Sequence, residues 1–362
     1  MPKKEIRLNA GDPDVEAPQY AINEALVSII EGGKNTHYPH HTDIPDQFCA
    51  AVVDYYKHFT GVQYDPADVL PAAGSSAALY TALAAVLEKG DEVMLFNPYY
   101  MGHTSIFNGM GVKMNFVPLK KELGYHPDPE AIKKAVTKKT KAILLCNPAN
   151  PTGTVFSEAE CKAVGDAAVD HDLAIFADEI YLHYTYDNNK FVSVASLNDA
   201  YKERTLGIMS FSKSFSMTGW RLGYDIVPEK YMAKAKLVAG LTAPRPATFV
   251  FKAGIACLRG DYKYIEERRQ EYMARRNYFC KAVDDMGWPC HMFEGAFYAW
   301  FDATSTGLSS NEFLAKLKES QNVSLSPGDR FGSDGFIRVP LVQPVPVLKE
   351  VVKRLKDFKA SL

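Results

Sequence analysis

Between residues 70 and 225, short apolar runs alternate with stretches of helical character, and this pattern restricts the fold more than any other feature of the chain. Glu92-Val-Met-Leu-Phe, Val112 to Leu119, Ala142-Ile-Leu-Leu-Cys, Leu173-Ala-Ile-Phe-Ala and Thr205 to Ser210 read as strands. Between them the Ala-rich run that ends at Gly90, then Pro129 to Val136, Ser157 to His171 and Val227 to Leu241, read as helices. Such alternation predicts a three-layer α/β/α arrangement with a mostly parallel sheet and helices on both faces. Ser157 with Glu160 three residues on forms a capping box at one helix start. Outside this region Ala21 to Ile30, Phe48 to His58, Asn311 to Ser320 and Val345 to Leu362 are helical. Tyr262 to Met286 is a long charge-laced rod able to link two lobes.

Several classes of function are excluded at once. Lysine plus arginine number 41 and aspartate plus glutamate 43, with no basic block and no acidic tail, so nucleic acid is not an expected partner. Cys49, Cys146, Cys161, Cys257, Cys280 and Cys290 are scattered without a CxxC pair, which reads as reduced thiols rather than a disulfide frame or zinc site. The start MPKKEIRLNAGDPD lacks the apolar core of a signal peptide, and no apolar run approaches a membrane span. A cytoplasmic enzyme is expected. His37, His40 and His41 raise the question of a metal, but in a Pro-containing loop they form no helical i, i+4 pair, and no metal is expected.

The chemistry concentrates in Ser-Phe-Ser-Lys-Ser-Phe-Ser-Met-Thr-Gly-Trp-Arg-Leu-Gly-Tyr, residues 210 to 224. Lys213 sits among hydroxyls and aromatics, with no other charge before Arg221. A lysine that loses hydration deprotonates more easily and becomes a nucleophile for carbonyl carbons. Ser210, Ser212 and Arg221 suit a phosphate dianion, so an aldehyde that carries a phosphate fits both halves, and pyridoxal 5'-phosphate is the obvious candidate. Gly74-Ser75-Ser76 opens the Ala-rich helix, where free backbone N–H groups favour an anion as well as an ordinary cap. The apolar strand at 173 to 177 delivers Asp178-Glu-Ile-Tyr181. A buried carboxylate needs a cationic partner, and a pyridinium nitrogen supplies one. Asn150-Pro-Thr-Gly falls just beyond a strand's C-terminal end, where open α/β sheets bind ligands. Arg338 closes a short strand bounded by Gly and Pro, and its planar fork suits a carboxylate.

The pattern S-x-S-K-x-x-x-x-x-G-x-R-x-G resembles the lysine signature of the class I/II aminotransferases, fold type I among pyridoxal-phosphate enzymes and aspartate aminotransferase-like. The Gly-Ser-Ser helix start, N-P-T-G, D-x-x-Y and the late arginine occur in that family's order across nearly the whole chain. The resemblance implies that Lys213 carries the cofactor and moves the substrate proton. It places the phosphate on Gly74, Ser75, Ser76, Ser210, Ser212 and Arg221, and the 3-oxygen of the ring on Asn150 and Tyr181. Asp178 would pair with the ring nitrogen. Tyr100 is the candidate for stacking on the ring, although from residues alone it serves equally as a core plug. Gly11, Asn150 and Arg338 would bind the substrate. Tyr38 would reach the phosphate of a neighbouring subunit, which implies a homodimer with active sites at the interface. A large cofactor domain over 40–260 and a smaller domain from 1–39 and 261–362 are expected.

The implied activity moves an amino group between an L-amino acid and a 2-oxo acid. The alternatives are a carbon–sulfur lyase of the cystathionine β-lyase kind or another non-transaminating relative, and a cofactor-binding regulator. Tyr181 favours transamination, because the lyases and acyl-condensing synthases tend to carry His near that position. The chain departs from the family at Asp43, where a glycine is usual. His40 and His41 are candidates for substrate contact. Arg245 is either a cation for a partner's site or a surface charge.

Overall fold

The computed structural model describes residues 3–242 and 245–362, with the backbone alone at His40. The apolar runs become a seven-stranded sheet in the order Val69–Ala72, Gly223–Ile226, Thr205–Ser210, Ala174–Asp178, Thr140–Cys146, Glu92–Asn97, Lys113–Pro118. All neighbours pair in parallel except Gly223–Ile226, which runs antiparallel to both of its partners. The expected α/β architecture with a mostly parallel sheet is the one observed.

Successive strand residues point to opposite faces, and both faces are covered. Leu144, Phe176 and Leu206 pack under the helices Ser75–Val86 and Glu229–Thr242, together with Ala78, Leu79 and Ala235. Ile143, Leu145 and Ile175 pack on the other side with Val164 and Ala168 of the helix Glu158–Asp170. Two-sided burial explains why these strands read as unbroken apolar runs instead of alternating ones. The capping box forms as expected: the Ser157 side chain accepts from the Glu160 N–H, and Glu160 accepts from the Ser157 N–H at 2.7 Å.

A second, four-stranded sheet is built around Tyr298–Asp302, which pairs antiparallel with Phe336–Pro340 and with Cys290–His291. The helix Lys263–Asp284 spans two cores. Ile265 joins the cluster of Phe48, Tyr56 and Phe251, whereas Tyr272, Phe279 and Val283 join the cluster behind the second sheet.

Three local differences have physical causes. The Ala-rich helix stops at Val86 and not at Gly90, because Leu87 leaves the helix in extended conformation and is buried in the core beside the sheet. Met101–Met110 is a helix despite Gly102 and Gly109, which lower its intrinsic propensity. Thr248–Leu258 is a helix although it is rich in β-branched and aromatic residues; packing against Gln19–Glu31 and Ile44–Thr60 overrides propensity there. Asp43, at the position of the usual glycine, stands just before Ile44–Thr60 with φ −87°; its side chain makes no cap to the helix backbone and instead accepts from Gln47 Nε2 at 2.9 Å. An ordinary φ needs no glycine.

Candidate active site

Three parallel strands end side by side at Cys146, Asp178 and Ser210, so whatever follows each strand is delivered to one edge of the sheet. A cavity of about 690 Å³ opens there, with the second sheet as its opposite wall. Of the expected site residues, Gly11, Ser75, Ser76, Tyr100, Asp178, Tyr181, Ser212, Lys213, Arg221 and Arg338 line it. Asn150 joins them through side chains: its Oδ1 accepts from Arg338 Nη1 at 3.2 Å and its Nδ2 donates to Tyr181 Oη at 3.4 Å.

Lys213 follows directly from the strand Thr205–Ser210, in a single helical turn that the Ser210 side chain caps by accepting from the Ser212 N–H. Its amine donates to the Gly11 carbonyl. Burial lowers this amine to about 8; Asp12 opposes the shift, and the Arg338 and Arg221 cations add to it. A sizeable neutral fraction near neutral pH is what a nucleophilic or proton-moving lysine requires.

Around the start of the helix Ser75–Val86, donors converge. Ser75 and Ser76 face the cavity, Ser210 Oγ bonds Ser212 Oγ at 2.8 Å, and Arg221 holds the Ala73 carbonyl at 3.3 Å and the Thr218 carbonyl at 2.8 Å. Gly74 has φ +89°, and a Cβ there would lie 2.4 Å from Arg221 Nη2, so only glycine lets the guanidinium lie against this turn.

The Asp178 side chain is 6% exposed, and His103 Nε2 lies 2.8 Å from its Oδ2. His103 was not singled out in the sequence; a lone histidine four residues beyond Asn97-Pro98-Tyr99 carried no pattern signal. Tyr298 lies in Glu294-Gly-Ala-Phe-Tyr-Ala-Trp, which resembles the family's strand at the active-site rim, but no role of its own was legible there. Its hydroxyl lies 2.8 Å from Tyr181 Oη, and the Arg338 guanidinium sits 4.7 Å above its ring centroid. Arg338 is buried, and burial holds its guanidinium below the ordinary arginine value. It donates to Asn150 Oδ1, Ser326 Oγ and the Asn9 carbonyl, while its Nε has no partner among the described residues. A buried guanidinium with no carboxylate paired to it among the described residues, and a donor left over, is arranged for an incoming anion.

Tyr38 and Arg245 are exposed and lie outside this cavity, and the His40 side chain lies outside the described residues.

The model for aminotransferase class I and II matches residues 3–355. The chain belongs to that family.

It is therefore an aminotransferase, an enzyme that moves an amino group between an amino acid and a 2-oxo acid. It is 33% identical over 98% of its length, and 91% of the relative's, to the aspartate aminotransferase of Bacillus subtilis. An aromatic-amino-acid aminotransferase 2 of Thermococcus litoralis is also 33% identical, over 97% of this chain and 90% of that one. The crystal structure of an aromatic aminotransferase from Pyrococcus horikoshii superposes with a TM-score of 0.93 at 31% identity, over 99% of this chain and 95% of that one. Aminotransferases of this family are generally dimeric and dependent on pyridoxal phosphate. The residues lining the cavity of this aminotransferase suit that cofactor: a helix start with two serines and an arginine able to take a phosphate, a buried carboxylate able to pair with a ring nitrogen, and a lysine amine.

Proposed function

We propose that this aminotransferase uses pyridoxal 5'-phosphate held on Lys213, with Arg338 as the clamp for the α-carboxylate of an L-amino acid. The observation that carries the reading is the shared cavity. Lys213, Asp178, Tyr181 and Arg338 line it together, although they are drawn from both ends of the fold.

The cofactor, when bound, supplies an electron sink that stabilises negative charge developing at the substrate α-carbon. The chain's own residues do the rest. Ser75, Ser76, Ser212 and Arg221 would hold the phosphate, with the helix N-terminus behind them and Ser210 steadying Ser212 through its hydroxyl. Asp178, fixed by His103, would pair with the ring nitrogen and favour its protonated form. Asn150 and Tyr181 donate to the ring's 3-oxygen. Tyr100 would stack on the ring; in the protein its own ring packs edge-on against His103, 5.2 Å between centroids. Arg338 and Asn150 grip the carboxylate of the amino acid under Gly11. That orientation sets the α-hydrogen towards Lys213 Nζ, which takes the proton as a base and returns it as an acid.

The core behind the second sheet, drawn mostly from residues 272–358, supports a smaller domain from 1–39 and 261–362 beside a large cofactor domain over 40–260, although Ala17, Ala21 and Ala25 pack into the core of the larger one. A homodimer is supported by the apolar face of the helix Gln19–Glu31, where Leu26, Val27, Ile29 and Ile30 are exposed, and by exposed Tyr38 nearby in sequence. In such a dimer Tyr38 reaches the partner's phosphate. The test is direct. Lys213→Ala should abolish turnover and prevent borohydride from fixing the cofactor to the chain, and normal turnover in that variant would end the proposal. A screen of aspartate and aromatic donors against 2-oxo acids reads the substrate side chain.

A further inference from the structure

Tyr298 opens the strand Tyr298–Asp302 of the second sheet and lines the Lys213 cavity, 2% exposed. The Arg338 guanidinium lies over two aromatic rings, 4.7 Å from the centroid of Tyr298 and 4.5 Å from that of Phe331. Ring faces of this kind attract a desolvated cation. The Tyr298 hydroxyl meets a different group, Tyr181 Oη, at 2.8 Å.

The directions of the surrounding hydrogen bonds follow from what each group is able to give. A guanidinium only donates. Arg338 Nη1, 3.2 Å from Asn150, therefore meets the amide oxygen, and this turns Asn150 Nδ2 towards Tyr181 Oη at 3.4 Å. Tyr181 Oη thus accepts from Asn150, whose second amide hydrogen stays available. Between the two tyrosines, either hydroxyl is able to donate by distance alone. Tyr298 Oη has no other partner among the described residues, and it abuts Gly11, where a Cβ would come within 2.3 Å of it. Its proton has only Tyr181 to go to, whereas Tyr181 is the group beside Asn150. Acidity agrees: burial raises both phenols, but the Arg338 cation is the largest influence opposing it at Tyr298, which stays at about 12. The more acidic hydroxyl is the better donor.

We infer that Tyr298 is a positioning residue: its hydroxyl donates to Tyr181 Oη and so commits the Tyr181 proton to the 3-oxygen of the cofactor. A phenol oxygen has two lone pairs and one proton. With Asn150 and Tyr298 on the lone pairs, the proton is all that Tyr181 has left to offer the cavity. Two donors on its oxygen also make Tyr181 itself a stronger donor. The inference rests on the reading of this cavity as a pyridoxal-phosphate site.

The test follows the absorbance of the lysine-bound cofactor as pH is varied. A donor on the 3-oxygen is worth most once the neighbouring nitrogen of the link to Lys213 has lost its proton, because the oxygen's charge then stands alone. Weakening that donor therefore raises the apparent pKa of the band. Tyr298→Phe keeps the ring and removes the hydroxyl. It should shift that pKa upward by about half a unit or more. The KM for the amino donor should stay within about twofold, because the ring beneath Arg338 remains. Tyr181→Phe should shift the band in the same direction, and adding Tyr298→Phe to it should move nothing further, since Tyr298 acts through Tyr181. A band that titrates identically in Tyr298→Phe, or a shift that persists undiminished in the Tyr181→Phe background, would overturn the inference and leave the aminotransferase reading intact. Failure of the unsubstituted protein to form the band at all would instead bring down the cofactor reading, and the inference with it.

Discussion

Asp225 should be a carboxyl that this fold carries at a cost, and the cost should depend on pH. It lies in the strand Gly223–Ile226, fully buried, opposite Leu70 on one side and Ile208 on the other. Neither carboxylate oxygen has a hydrogen-bond partner among the described residues. Burial alone pushes its pKa well above the ordinary carboxylate range. The folded state therefore holds a proton that the unfolded chain releases near pH 4. Stability from this group is complete below that value and is lost as pH rises towards the folded pKa. One proton amounts to about 1.4 kcal/mol per pH unit, so two units within that window remove about 2.7 kcal/mol. Asp225→Asn keeps the shape and removes the titration. Urea melts of both proteins, at equal concentration and at several pH values from 4.5 upward, should diverge with that slope in favour of Asn. The comparison cancels the pH-independent cost of the buried amide. A difference that stays flat with pH, or that grows in favour of Asp225, would mean the carboxylate has a counter-charge, and the reasoning would fail.

Other outcomes follow from single contacts. Arg338→Lys replaces a fork held by Asn150, Ser326 and the Asn9 carbonyl with a point charge. The KM for the amino donor should rise by about one to two orders of magnitude, in steady-state assays, while the cofactor stays bound. Gly74→Ala would put a Cβ 2.4 Å from Arg221 Nη2 at φ +89°. The displaced guanidinium should loosen the phosphate, and dialysis should strip cofactor from this variant at least about tenfold faster. His126 bridges Glu160 at 3.0 Å and Glu294 at 3.2 Å, and those two bonds raise its pKa to about 10. The stability it contributes is complete below the unfolded value near 6.5 and is lost as pH rises through about 10. Since its side chain is 31% exposed, His126→Gln should cost only about 1–2 kcal/mol at pH 7, seen in thermal melts, and the gap should close by about pH 11.

The sequence by itself determined the architecture and the family, and it pointed to the residues of the candidate site. Strands buried on two faces must be apolar throughout, and helices between them must carry an amphipathic period, so the layered sheet was legible from residues 70 to 225. Lys213 among hydroxyls, Asp178 at the end of an apolar strand and Arg338 between Gly and Pro were legible because each breaks its local pattern in a way that packing does not need. The tertiary structure alone decided what stands behind these groups. His103 meets Asp178 from 75 residues away, and Tyr298 meets Tyr181 from 117. Such contacts carry no local periodicity, because they depend on which strands lie side by side. For the same reason the helix Thr248–Leu258 and the buried Asp225, without a partner among the described residues, were invisible in the chain. Propensity and spacing act over a few residues, whereas burial and hydrogen-bond partnership are properties of the packed whole.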